Sequence, residues 1–195
     1  MREVKFFSSP LVIFNKKEFL NSTVSVTDKY IEEIKHKDSS QLIYHSQGNL
    51  YNNIDLYDLH NFVGNQSFSF LDRQGFDMDK YELKFIESWV QEFNPQGYGS
   101  HRIHVHPDAH VSGFFFLKCS DKTSYPTFHD PRPAALMNKL ILKQDKIVDA
   151  LSHTHYYPVP GDMVLFNSYL PHEFNTDRGV DPFRFMHFNL RAELK

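Results

Sequence analysis

The chain has 195 residues, a formal net charge of −3, 41% hydrophobic and 23% charged residues, values suited to one globular domain with a sizeable core. Its acidic and basic residues interleave without a basic block, which excludes a dedicated nucleic-acid binder. No apolar run approaches the roughly 20 residues that cross a bilayer. Nineteen Phe and ten Tyr favour strands over helices. The one cysteine, Cys119, has no internal partner, which suits a reducing, cytoplasmic compartment.

The N-terminal stretch through Phe19 is broken by Ser8, Ser9 and Pro10 and is too polar for a signal-peptide core. It reads as a first strand at Leu11 to Phe14. A helix is expected from about Thr27 to Lys37, capped by Thr27 or Asp28, with Tyr30, Ile31 and Ile34 on its apolar face. Asp38 to Asn53 reads as loop, and Ile54 to Phe62 is ambiguous. From Tyr81 the pattern becomes β through Phe93, ended by the turn Asn94-Pro95-Gln96-Gly97. Ser120 to Pro133 reads as loop, and Leu136 to Leu142 and Lys146 to Leu151 are segments of open type. Pro158-Val159-Pro160-Gly161-Asp162 turns into an apolar strand from Met163, and Pro182 to Leu190 closes the chain as another. Short strands with Pro/Gly turns predict a mainly β domain, a β-sandwich or a jelly roll (double-stranded β-helix, cupin-like). Its core would span about 81–195, with the N-terminal strand and flanking helices in 1–80.

The chemistry concentrates in Tyr98 to Leu117, where His101, His104, His106 and His110 precede a strand apolar on both faces, Val111 to Lys118. His104 and His106 are two apart, so an extended backbone sends both imidazoles to one side. Such a pair is half of a divalent metal site. Two further pieces belong at the same mouth of a jelly roll: Pro171-His172, and Arg184 inside the closing strand.

That order resembles the 2-oxoglutarate and Fe(II)-dependent oxygenases, in particular a small branch found in phage and marine bacterial genomes. The matching text is His104-Val105-His106-Pro107, Ser112-Gly113-Phe114-Phe115-Phe116, Asp130-Pro131-Arg132, Pro158-Val159-Pro160-Gly161, Tyr169-Leu170-Pro171-His172, and Arg184 through Phe188-Asn189. The resemblance implies Fe(II) held by His104, His106 and His172, with positions left open for 2-oxoglutarate and O2. It implies Arg184 as the forked partner of the far carboxylate. The product chemistry would be succinate, carbon dioxide and an oxidised, commonly hydroxylated, small molecule or protein side chain. The location would be the cytoplasm, that of the host for a phage-encoded chain.

Two departures stand out. The second ligand of most relatives is a carboxylate, and here it is His106; a register shifted by two would read His106-Pro107-Asp108. Pro107 kinks the chain where Asp108 would have to align, which favours His104 and His106. Many relatives place a Ser two residues after the Arg, where this chain has Met186. Arg184 would then act alone or with Tyr98 or Ser112.

Plainer readings compete. Twelve histidines make chance pairs common, and His153-x-His155 is one. His101 and His110 read as rim or loop residues. His187, on the opposite face from Arg184, reads as structural. An internal salt bridge is the plainer role for Arg184, since a charge in an apolar strand needs a partner. Two alternative functions stay open: a three-histidine, cupin-type metal dioxygenase without 2-oxoglutarate, and a non-catalytic jelly-roll module holding zinc or nothing.

Overall fold

The computed structural model describes residues 7–132 and 150–195, together with 134, 137, 140 and 141. In chain order the elements are β1 (Leu11–Asn15), α1 (Lys17–Lys37), β2 (Ile43–His45), α2 (Tyr57–Arg73), β3 (Tyr81–Phe93) and β4 (His101–His104). They continue with β5 (Val111–Lys118), β6 (Pro126–His129), β7 (His153–His155), β8 (Asp162–Asn167), β9 (His172–Phe174) and β10 (Phe183–Leu194). Two antiparallel sheets form, one ordered β1-β8-β5-β10-β3-β2 and a smaller one ordered β4-β9-β6-β7. This is a jelly roll with flanking helices.

The large sheet is apolar on both faces because it is the middle of three layers. Val90, Phe115, Leu117, Met186, Phe188 and Leu190 share one core with Ile31 of α1 and Leu59, Val63 and Phe70 of α2. Trp89, Phe93, Phe114, Phe116, Phe166, Phe183 and Phe185 share the other with Phe128 and Phe174 of the small sheet. Successive residues of each strand therefore serve alternate layers. Gly113 sits where the sheet allows no side chain: an added Cβ would lie 2.5 Å from Leu165 Cδ2 and 2.7 Å from the Val164 carbonyl oxygen.

The expected first strand, the β stretch from Tyr81 to Phe93 and the closing strand are present. Helix α1 begins ten residues before the expected Thr27. Leu20, Thr23, Val24, Thr27, Ile31 and Ile34 recur at three- and four-residue spacing, and packing that stripe overrides the weak helix propensity of Asn21-Ser22-Thr23. Thr27 and Asp28 are consequently mid-helix, with Thr27 Oγ1 donating to the Val24 carbonyl at 3.1 Å. The ambiguous stretch at Ile54 to Phe62 opens α2, and the expected loop from Asp38 to Asn53 contains β2. The segments Leu136 to Leu142 and Lys146 to Leu151 fall for the most part outside the described residues.

Replacing Gly113 by Ala should overpack this seam and destabilise the fold by about 1–3 kcal/mol. A urea melt should show a lower midpoint with an unchanged slope.

Candidate metal centre

Three imidazoles converge between the sheets. β4 pairs antiparallel with β9, with His104 opposite His172. β4 stops at His104, so His106 lies beyond the strand rather than on it, held by its own N–H donating to the Ser168 carbonyl at 3.0 Å. The rings still meet: centroids are 4.4 Å apart for His104 and His172, 5.1 Å for His104 and His106, and 5.2 Å for His106 and His172. One ligand nitrogen from each lies within 4.8 Å of the others. His106 Nε2 and His172 Nε2 are 3.3 Å apart. Two nitrogens bound about 2.1 Å from one ion, at angles between octahedral and tetrahedral, lie about 3.0–3.4 Å apart. Asp108 is exposed in the following turn and takes no part, so the shifted register does not assemble.

The protonation state suits a cation. His172 Nδ1–H donates to the Leu170 carbonyl at 2.9 Å and His104 Nδ1–H to the Arg102 carbonyl at 2.7 Å, in the tautomers that leave both Nε2 lone pairs free. Burial, reinforced by the neighbouring imidazoles, lowers His106 to about 4 and His172 to about 3. Both are neutral at pH 7; His172 keeps its Nε2 lone pair free, while His106 Nδ1 accepts from the Asn189 amide, so its ring proton sits on Nε2 and a metal there would displace it.

Arg184 is not at this centre. On β10 it alternates with Phe183 and Phe185, which face the small sheet, so its guanidinium points into the helix layer. Nε donates to Glu92 Oε2 at 2.7 Å and Nη1 to Asp28 Oδ1 at 2.6 Å, and the side chain is 1% exposed. A bulge between Arg184 and Phe185 in the pairing with β5 brings Lys118 to the same side, where its Nζ donates to Asp28 at 2.9 Å. Burial pushes the Asp28 carboxyl up, but hydrogen bonds from Lys118 and Arg184 outweigh it and hold the group below its ordinary range. Lys35 completes the cluster against Glu92 at 2.8 Å. The plainer role, an internal salt bridge, is the one Arg184 has.

The other two expected co-substrate contacts are also elsewhere. Tyr98 is 74% exposed at a left-handed backbone position, φ 70°. Ser112 is buried beside the centre, but its Oγ donates to Asn189 Oδ1 at 2.6 Å. Asn189 Nδ2 in turn lies 2.8 Å from Glu87 Oε2 and 3.2 Å from His106 Nδ1. Ser112 thus steadies the His106 ring from behind. The residues present fit a divalent metal; they do not supply a β10 arginine for the far carboxylate of 2-oxoglutarate.

What the sequence concealed is His187. Its ring lies between the sheets, 4.6 Å from His106, 4.7 Å from Trp89 and 5.2 Å from Phe114. It is 1% exposed, neither ring nitrogen has a hydrogen-bond partner, and burial drives its pKa well down. A buried polar group without a partner costs about 1–3 kcal/mol. Strict two-residue alternation on β10 would have found it, with Phe183, Phe185 and His187 sharing one face. His101 is also inside, its Nε2 2.6 Å from Gln91 Oε1, and burial lowers it to about 4.

The sequence model of the family described as "Putative 2OG-Fe(II) oxygenase" matches residues 87–188. No curated protein sequence matches the chain significantly. Among solved structures, the chain is similar to an oxidoreductase of the 2OG-Fe(II) oxygenase family from Burkholderia pseudomallei, at 13% identity and a TM-score of 0.59 over 93% of this chain and 84% of that one. It is similar to a prolyl-4-hydroxylase from Pseudomonas putida, at 13% identity and a TM-score of 0.59 over 94% of each chain. It is also similar to SnoN, a non-heme alpha-ketoglutarate-dependent epimerase from nogalamycin biosynthesis, at 8% identity and a TM-score of 0.65 over 96% of this chain and 79% of that one.

Replacing Arg184 by Met should cost roughly 3–5 kcal/mol, because Glu92 is left buried without its main partner. Thermal unfolding should show that loss, while metal affinity of the folded fraction stays unchanged. Acid should act through the buried imidazoles of both layers. His60, His101, His106 and His172 have folded values of about 4, 4, 4 and 3 against an ordinary 6.5, so the unfolded chain binds more protons below 6.5. Stability of the metal-free protein should be full above pH 6.5 and fall steeply from there toward pH 4. Urea midpoints measured across that window would show it, and a flat profile would contradict the neutral, buried imidazoles.

Proposed function

Because the chain belongs to the 2OG-Fe(II) oxygenase family, whose cofactor is Fe(II) and whose co-substrates are 2-oxoglutarate and O2, we propose that it is a hydroxylase with His104, His106 and His172 as metal ligands. The observation that carries this reading is the convergence of three imidazoles, two with their tautomers fixed by backbone carbonyls. Hydroxylation is the activity named for one of its structural neighbours, the prolyl-4-hydroxylase. Residues 81–195 form the proposed catalytic core, and α1 and α2 cover its far face. No described helix is long and apolar enough to cross a membrane.

The metal, with its co-substrates, supplies the oxidising power for attack on a C–H bond. The protein's own residues do the rest. The Leu170 and Arg102 carbonyls aim two imidazoles, and the Ser112–Asn189 pair backs the third. Phe114, Phe128 and Phe166 pack around His172 and exclude water from that side, which strengthens electrostatic interactions at the centre. Exposed apolar residues, Ile103, Val105 and Tyr169, stand next to the ligands in sequence. The backbone bond from His106 to Ser168 draws the segments bearing Val105 and Tyr169 together. A substrate with an apolar portion, a small molecule or a protein side chain, suits that rim.

The position of Arg184 favours a second reading, a three-histidine metal dioxygenase that needs no 2-oxoglutarate. One experiment separates the two. The protein loaded with Fe(II) should convert 2-oxoglutarate to succinate in air without added substrate, and His104→Ala or His172→Ala should cut succinate by roughly a hundredfold or more. Metal binding without succinate would leave only the second reading.

A further inference from the structure

Beside the triad lies a second set of ligand atoms that the proposed function does not use. Glu87, His106 and His187 each offer one donor atom, all within 4.8 Å of one another. We infer that Glu87, His106 and His187 form a second divalent-cation position, sharing His106 with the first. The set has two imidazoles and one carboxylate, the composition of a facial triad for a first-row metal such as Fe(II) or Mn(II).

Strand register builds it. On β10, His187 and Asn189 face the small sheet, opposite Trp89 and Glu87 of β3. His106 looks both ways: its Nε2 faces His172 Nε2 at 3.3 Å, and its Nδ1 faces the Asn189 amide at 3.2 Å. That amide nitrogen is 2.8 Å from Glu87 Oε2. Two acceptors, a carboxylate and a ring nitrogen, therefore converge on the positive end of an amide dipole, in the place a cation would compete for.

The independent observation is His187. It is buried to 1% exposure and both ring nitrogens lack a partner, although protein groups surround it on every side. Among the described residues no well-formed hydrogen bond reaches either His187 nitrogen; a cation would engage Glu87, His106 and His187 together. Filling both positions makes His106 a bridging imidazolate. Its remaining ring N–H bond breaks as the second metal–nitrogen bond forms, and the proton passes to solvent.

This inference depends on the proposed function only through His106, and the variants separate the two. Anaerobic titration with Co(II), followed by its visible absorption and by calorimetry, should give two equivalents per chain. His104→Ala should keep one equivalent at the second position. Glu87→Gln and His187→Phe should each keep one at the triad, and His106→Ala should lose both; circular dichroism checks that each variant is folded. One equivalent in the unaltered chain, abolished by His104→Ala and untouched by both Glu87→Gln and His187→Phe, would overturn the second position and leave the triad standing. One equivalent removed by Glu87→Gln but not by His104→Ala would uphold the second position and overturn the triad. No binding at all would overturn both.

Discussion

The register of β10 between β3 and β5 is the constraint on which the rest depends. Phe183 lies opposite Phe93, Arg184 opposite Glu92 and His187 opposite Trp89. Each residue of the strand is thereby assigned to one of two layers. Even-numbered positions from 184 to 190 face the helices, and odd-numbered ones face the small sheet. A slip of one residue would exchange the two sets, driving a guanidinium among phenyl rings and withdrawing the His187 imidazole from between the sheets. The pairing is held by apolar residues on both faces, so the sheet has no solvent side on which a slipped strand could rest.

The two layers handle buried polarity in opposite ways. On the helix side the groups are charged and matched: Arg184 and Lys118 share Asp28, and Arg184 and Lys35 share Glu92. Such a cluster ties α1 to the middle of the sheet, and removing one member leaves a buried charge without its partner. On the other side the groups are imidazoles kept neutral by desolvation. Neutral rings have unshared electron pairs to give, and the aromatic walls around them bring no competing donor. One sheet thus carries a structural ion cluster and a cluster of imidazoles back to back, without either neutralising the other.

Much of this was legible in the sequence. Strand character from Tyr81 onward followed from β-branched and aromatic residues between Pro/Gly turns, and the coming together of His104, His106 and His172 was implied by the family resemblance. The misreadings have one source. The sequence position of Arg184 suits a carboxylate anchor, and an inward Arg184 would leave His187 on the outer face by parity. Phe183 and Phe185 carried the correcting signal, since a strand flanked by an aromatic cluster on one face directs its lone cation to the other. Helix α1 was cut short for a different reason. Asn21, Ser22 and Thr23 are residues of caps and turns, and only the packed stripe through Leu20, Thr27 and Ile31 shows that they lie inside a helix. Glu87 gave no signal at all, because its relation to His106 exists only across a strand pair and through Asn189.

That relation bears on the charge of the centre. With three neutral imidazoles, Fe(II) keeps its full +2, whereas a ligand set containing a carboxylate would reduce it to +1. Glu87 supplies a compensating negative charge from outside the triad, through Asn189 to the back of His106. An anion at one remove stabilises the cation by Coulomb attraction in a medium of low dielectric without occupying a coordination position. The open face of the ion stays available to dianionic or neutral ligands alike. The same carboxylate lies within reach of His187, so the arrangement that would tune one ion is also the arrangement of the inferred second position.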